Sequence, residues 1–273
     1  MDFKSIASET RQYNFHSHTQ FCDGRAPMET MARAAVAAGM RHYGFSPHSP
    51  IPIASPCNMR AEDVPVYLDE YRRIASLSEL AACRFYASME VDYLGAQWGP
   101  ASDYFRELPL DYVIGSVHFI PTQKGEYVDI DGNFDTFGRR LHEKFDDDMD
   151  YIVDTFFAQS TAMVEAGGFD IIGHFDKIGL NAEHFRPGTT ESTFYTSRLD
   201  ALIDAIISRG VAIELNTKAY ERHGRFFPDR GLLPRLVDAG VTILVNSDAH
   251  YPELVTAGRE EGFAVLDKDC YHE

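Results

Sequence analysis

The sequence predicts an α/β fold in which parallel strands alternate with helices, built either as a sheet or as a barrel. Two observations carry this prediction. Strand-like apolar runs are followed by helix-like stretches along nearly the whole chain, and alternation of that kind implies parallel strands joined by right-handed crossovers. Seven strand candidates appear, and nearly every one ends in His, Asp or Glu. In a (β/α) barrel the chemistry collects at those carboxyl ends.

The elements follow in order. YNFHSH, 13–18, reads as the first strand; His16 and His18 lie two apart and so share a face, where two imidazoles can grip one ion. PMETMARAAVAAGM, 27–40, reads as a helix with Pro27 in its first turn and Gly39 near its end. RHYGFSPH, 41–48, is the second strand candidate. EDVPVYLDEYRRIASLSELAA, 62–82, has helical periodicity past Pro65, and CRFYASMEVDY, 83–93, returns to a strand pattern. DYVIGSVHF, 111–119, is the next strand. A long helix is expected over about 137–166, closed by Gly167 and Gly168, with FDDDMD at 145–150 as its solvated face. FDIIGHF, VAIELNT and VTILVNSDAH complete the strands, and SRLDALIDAIISRG and LLPRLVDAGV form the helices before the last two.

Bulk properties narrow the function. The 273 residues suit one large α/β domain, and no repeat or low-complexity linker marks a boundary, so a single domain over 1–273 is expected. The polar start MDFKSIASETRQ is unlike a signal peptide, and no apolar run approaches a membrane span, which makes the cytoplasm the expected location. Cys22, Cys57, Cys83 and Cys270 have no CxxC spacing, so neither a disulfide framework nor a thiolate zinc site is expected. A net charge of −17 repels polyanions and disfavours long nucleic acid. A small phosphorylated substrate stays compatible with it, because bound cations reverse the local charge.

The strand ends supply the candidate site. His16 and His18 come from HSH, Asp23 from the loop after it, His48 from SPHSP and Glu90 from SMEVDY. His118 comes from GSVHF, His174 from GHFDK, and Asp248 and His250 from NSDAH. A single histidine at a strand end is usually a hydrogen-bonded one. Six of the eleven histidines in such positions point instead to metal ligation. Imidazole–carboxylate sets of this kind suit zinc, manganese or iron, and three divalent ions with about three ligands each would use all of them. His42, His142, His184, His223 and His272 sit in polar or charged surroundings and read as solvated.

The motifs HSHTQFCDG, SPHSP, SMEVDY, GSVHF, GHFDK, ELNT and NSDAH, in that order, resemble the polymerase and histidinol phosphatase (PHP) superfamily over about residues 13–265. Asp23 and the pairing of SMEVDY with GSVHFI favour its stand-alone histidinol-phosphate phosphatase branch. The resemblance implies a distorted, TIM-like (β/α)7 barrel with a trinuclear metal site at the C-terminal ends of the strands. It implies that His16, His18, Glu90 and Asp248 hold the first ion. Glu90, His118 and His174 would hold the second, and Asp23, His48 and His250 the third. Basic residues after the fifth and sixth strands bind phosphate in that branch; the matching stretches here offer Lys177, and Lys218, Arg222 and Arg225. Asp129 and Asp131 are candidates to receive a substrate amine.

The resemblance implies hydrolysis of a phosphate monoester, L-histidinol phosphate first, in histidine biosynthesis. A hydroxide bridging two ions would attack phosphorus while the third ion and Lys218 hold the non-bridging oxygens. Glu90, Asp248 and His250 are the expected catalytic residues, with Asp248 or a nearby histidine protonating the leaving alkoxide. No GxSxG nucleophile and no P-loop is present. The rivals are a PHP-type phosphoesterase of nucleotides or short nucleic acid, an amidohydrolase-like metal hydrolase, and a metal-binding barrel without catalysis.

Overall fold

The computed structural model describes residues 1–270, with side chains through Lys268. Helix α1 (Phe3–Glu9), capped by the Asp2 carboxylate, precedes strand β1 (Tyr13–Asn14). The chain continues through α2 (Met28–Ala37), β2 (His42–Phe45), α3 (Val64–Ala75), β3 (Arg84–Asp92), a short α4 (Asp103–Arg106) and β4 (Tyr112–Ser116). A hairpin of β5 (Phe119–Pro121) and β6 (Tyr127–Asp129) leads into α5 (Phe134–Phe145) and α6 (Met149–Ala166). Then come β7 (Ile171–Ile172), α7 (Ile178–Phe185), α8 (Thr193–Arg209), β8 (Ala212–Asn216), α9 (Tyr220–His223), α10 (Leu233–Asp238), β9 (Ile243–Asn246) and α11 (Arg259–Cys270).

Seven strands pair in the order β1-β2-β3-β4-β7-β8-β9, all in parallel. The first and last meet through a parallel bridge between Ser17 and Ala249, with the His18 N–H donating to the Ala249 carbonyl at 2.9 Å. The fold is a distorted (β/α)7 barrel. Closure happens at the carboxyl ends, which is where the candidate site lies.

Alternation along the strands explains how one barrel is greasy at one end and chemical at the other. On β3 the odd positions Phe85, Ala87, Met89 and Val91 pack outward against helices. The even positions run inward, from Tyr86 in the lower core to Glu90 and Asp92 at the top. The strand of β4 repeats this, with Tyr112 and Ile114 below Ser116 and His118. So do β8, with Ala212 below Glu214 and Asn216, and β9, with Leu244 below Asn246 and Asp248. Phe3 of α1 closes the bottom by edge-on contacts with Phe15 and Tyr112, at 5.1 and 5.4 Å between centroids. This aromatic plug is the rigid floor beneath the polar layer.

The helices differ from expectation in one place. The helix expected over 137–166 is two, broken at Asp146 and Asp147, both left-handed with φ of 50° and 61°. The FDDD run does this itself. Phe137, Leu141 and Phe145 line the buried face of α5 at four-residue spacing, Asp146 ends it, and the Asp148 carboxylate accepts the Tyr151 N–H to start α6. The run is therefore a corner, not a helix face. Short turns at 61–63 and 78–80 flank α3, which stops at Ala75. The strand expected at 111–119 also divides, because β5 leaves the barrel to pair antiparallel with β6. That hairpin carries Asp129 and positions Asp131 over the site.

Among the described residues Cys22, Cys57 and Cys83 are free thiols. No helix among the described residues is long and apolar enough to cross a membrane. Of the histidines read as solvated, His142 is exposed beside Asp147, and His42 is half-buried against the Tyr86 hydroxyl. His184 stacks face to face on Phe134 at 3.6 Å, and His223 meets the same ring edge-on, so these two form an aromatic group with it. His272 lies outside the described residues.

Candidate metal centre

The nine candidate ligands come from six strand ends and one loop, and the structure brings all of them into one cluster. Its middle is Glu90, which is 1% exposed. Its Oε2 lies 3.2 Å from His16 Nε2, 3.6 Å from His18 Nε2 and 2.9 Å from His48 Nδ1. Its Oε1 lies 3.0 Å from His174 Nε2 and 3.4 Å from His118 Nε2, and accepts the Ser116 hydroxyl at 2.7 Å. Gly173 makes room for that hydroxyl, since a Cβ there would come within 2.3 Å of it.

Asp248 joins from β9, with Oδ1 3.0 Å from His18 Nε2 and 3.8 Å from His16 Nε2. Its φ of 50° is left-handed, which turns the carboxylate inward at the strand end. Asp23 closes the third side, with Oδ1 3.3 Å from His250 Nε2, 3.7 Å from His48 Nε2 and 3.8 Å from His18 Nδ1. The loop reaches it through a tight turn that only glycine permits. A Cβ on Gly24 would lie 2.3 Å from the Thr19 backbone nitrogen.

The chemistry of the donors fits divalent cations. His16 Nε2, His18 Nε2, His48 Nδ1, Asp23 Oδ1 and Glu90 Oε2 are buried without a hydrogen-bond partner. A buried polar atom left unpaired costs on the order of 1–3 kcal/mol, so five of them converging on one volume would strain the fold without a cation. Three tight groupings emerge: His18, Asp23, His48 and His250; His16, His18 and Asp248; and His48, Glu90 and His118. Burial works against ionisation of Glu90, but His16, His118 and His48 override it and hold its carboxyl well below the usual range. Asp248 is likewise held well below it, against burial, by Lys218 and His16. Burial and the neighbouring His250 and His48 keep His18 in the neutral form that a ligand requires.

The remaining predicted residues separate. Lys218 is at the centre, with Nζ 3.2 Å from Asp248 Oδ1 and 3.3 Å from His250 Nε2. Lys177 and Asp131 both line the pocket but face each other at 2.5 Å, so the Asp131 carboxylate has a cation of the protein's own. Asp129 is similarly engaged by Arg140 at 2.9 Å. Arg225 is placed behind the pocket, not on it. Its guanidinium lies 3.5 Å from Asp176 and 3.6 Å from Asp229, two carboxylates that draw it away from the lumen. Burial pushes the Asp176 carboxyl up to about 6 against the pull of that arginine. Arg222, three residues earlier, lines the pocket in its place.

Sequence reasoning passed over two carboxylates. Asp92 Oδ1 accepts the His118 ring Nδ1–H at 2.8 Å and its backbone N–H at 3.1 Å. Glu214 Oε2 accepts the His16 ring Nδ1–H at 2.8 Å. Each aims the opposite ring nitrogen at the cluster. Both sit in quoted motifs, SMEVDY and ELNT, and inward alternation along the strand was the signal that could have found them.

Comparison with known proteins matches a family model, the PHP domain, to residues 14–218. The chain belongs to the PHP domain family. No curated protein matches this PHP domain. Among solved structures it is similar to the hisK protein of Listeria monocytogenes, 18% identical, with a TM-score of 0.79 over 91% of this chain and 99% of that one. It is also similar to histidinol phosphate phosphatase (HISK) from Lactococcus lactis subsp. lactis, complexed with zinc, L-histidinol and phosphate. That match is 17% identical, with a TM-score of 0.70 over 96% of this chain and 95% of that one. At such identities the likeness establishes the shared fold of the PHP domain.

Proposed function

We propose that this PHP domain, acting as a single domain, hydrolyses a small phosphate monoester, with L-histidinol phosphate as the first substrate to try. The observation that carries the reading is the set of unpaired donor atoms converging beside Lys218 on a pocket of about 410 Å³. A pocket of that size holds a small ester and falls within the range of small-molecule sites. The neighbour complexed with zinc, L-histidinol and phosphate supports the choice of substrate.

In this reading His16, His18, Glu90 and Asp248 hold one divalent cation, Glu90, His118 and His174 a second, and Asp23, His48 and His250 a third. Zinc, manganese and iron all suit these donors. The bound cations supply an activated water and positive charge for the phosphoryl group. Lys218 donates from Nζ to the phosphoryl oxygens, where its charge also balances Asp248. Lys177, paired with Asp131, is a further cation lining the pocket and would meet phosphate by leaving that partner. Asp248 and His250 flank Lys218; Asp248 is ionised, so it would first take up a proton and then pass it to the departing alkoxide. The net charge of −17 favours a small ester over a long polyanion.

The test is phosphate release from L-histidinol phosphate, p-nitrophenyl phosphate and a nucleotide after reconstitution with manganese or zinc. Preference for L-histidinol phosphate by tenfold or more in kcat/KM, about 1.4 kcal/mol, is the expected result. Equal or better use of the nucleotide removes the named substrate and retains the phosphoesterase. Inactivity on all three by a metal-loaded protein removes both.

A further inference from the structure

Glu214 stands at a junction that none of the nine candidate ligands occupies. It is 0% exposed, on β8, and does not line the pocket. All of its bonds run to the structures that carry ligands. Oε2 accepts from His16 Nδ1 at 2.8 Å and from Asn246 Nδ2 at 3.3 Å. Oε1 accepts the backbone N–H of His174 at 2.9 Å and the Asn216 side-chain amide at 3.0 Å. The same Asn216 amide donates to Asp248 Oδ2 at 3.1 Å, so its two hydrogens tie Glu214 to Asp248. One carboxylate thus touches the strand ends that carry His16, His174 and, through Asn216, Asp248.

We propose that Glu214 is a positioning residue that couples two of the three cation sites by fixing His16, His174 and Asp248 together. The inference rests on the metal-binding reading of the cluster. Its geometry differs from that of Glu90. Glu90 keeps an unpaired oxygen facing the cluster, whereas both oxygens of Glu214 are filled by donors from the protein. Glu214 therefore acts through other residues and not as a ligand. It also fixes a tautomer. With Nδ1–H given to Glu214, the His16 lone pair is on Nε2, the atom that faces Glu90 and Asp248.

Asp92 provides the internal contrast. Its Oδ1 serves His118 alone, and its Oδ2 accepts from Asn58 at 3.2 Å. Neither carboxylate touches Asp23, His48 or His250. Loss of Glu214 should therefore weaken two cation sites, loss of Asp92 one, and the site of Asp23, His48 and His250 should survive both.

Glu214→Gln is the informative change, because it preserves shape while replacing one acceptor oxygen with an NH₂. Whichever way that amide turns, it sets a donor against His16 Nδ1–H or against the His174 N–H. The experiment is zinc titration with a competing chelator on wild type, Glu214→Gln, Glu214→Asp and Asp92→Asn. Imidazole ¹⁵N shifts of the zinc-loaded proteins are recorded alongside, with His16 assigned by its loss in His16→Gln. Glu214→Gln is expected to weaken two of three bound ions by about 10- to 100-fold, and Asp92→Asn one. Glu214→Asp, with a carboxylate too short to reach every donor, should fall between wild type and Glu214→Gln. The zinc-loaded wild type should show His16 protonated on Nδ1 alone. Unchanged affinities in Glu214→Gln overturn the inference. If that variant does not fold, wild-type affinities in Glu214→Asp, or a zinc-loaded wild-type His16 without a proton on Nδ1, overturn it equally. A wild-type protein that binds no zinc fails differently, since it removes the metal reading itself.

Discussion

Asp248 combines two demands on one residue: a charged carboxylate and a left-handed backbone. Asn tolerates φ of 50° about as well as Asp, whereas a residue such as Ala pays about 1 kcal/mol there. Asp248→Asn should therefore lose bound metal, and the metal-free protein should melt lower only through the lost pairing with Lys218 and His16. Asp248→Ala should lose metal and melt lower still, by the added left-handed backbone cost. Calorimetry of the metal-free proteins with elemental analysis separates the two effects, and full metal content in Asp248→Asn would remove it from the ligand set. Lys218 makes a different prediction. Charge-assisted hydrogen bonds contribute about 1.5–3 kcal/mol, so Lys218→Ala should raise KM for phosphate esters about tenfold or more, with a smaller change in kcat. An unchanged KM takes Lys218 out of the site. Arg225→Ala, by contrast, should leave KM nearly unaltered, because its guanidinium faces Asp176 and Asp229.

The corner between α5 and α6 shows how an element boundary hides in composition. A run of acids reads as a solvated face because charge is the visible feature, but Asp is also a good left-handed terminator and a good N-cap. Asp146→Gly should raise stability by about 0.5–1 kcal/mol by relieving the left-handed cost, and Asp148→Ala should lower it by about 1 kcal/mol through loss of the Tyr151 cap. Denaturant unfolding measures both, and a stabilised Asp148→Ala would contradict the cap. The β5–β6 hairpin was illegible for another reason. Phe119 to Pro121 continues the apolar pattern of β4, and nothing local says that the strand leaves the barrel. Its exit is a matter of pairing with Tyr127–Asp129, which periodicity does not encode.

Across the whole molecule, stability should depend on pH through groups far from the cluster. Burial pushes the Cys83 thiol, packed in the core beside α2 and α3, up to about 12 from its ordinary 9.0. The unfolded chain releases this proton near pH 9 and the folded chain retains it, so the folded state binds more protons in between. The thiol's contribution is fully present below pH 9 and is lost as pH rises towards 12, at up to about 1.4 kcal/mol per pH unit. Unfolding free energies of wild type and Cys83→Ala, measured from pH 8 to 10.5, should show the steeper decline in wild type. Parallel curves would mean that the thiol is solvated in the folded state.

The sequence by itself determined the count of seven strands, the cluster's nine candidates and their location, eight at strand ends and Asp23 in the loop after the first. These are local properties: strand alternation places residues two apart on one face, and His, Asp and Glu are too costly to gather at apolar strand ends without a purpose. Only the tertiary structure decided which partners those residues have. Lys177 and Asp131 are 46 positions apart in sequence, and Glu214 and His16 198 apart, so no pattern within a motif reports either pairing. Arg222 and Arg225 looked equivalent in ERHGR until Asp176 and Asp229 took hold of the second. Electrostatic partners are chosen by distance in space, and distance in space is what barrel closure sets.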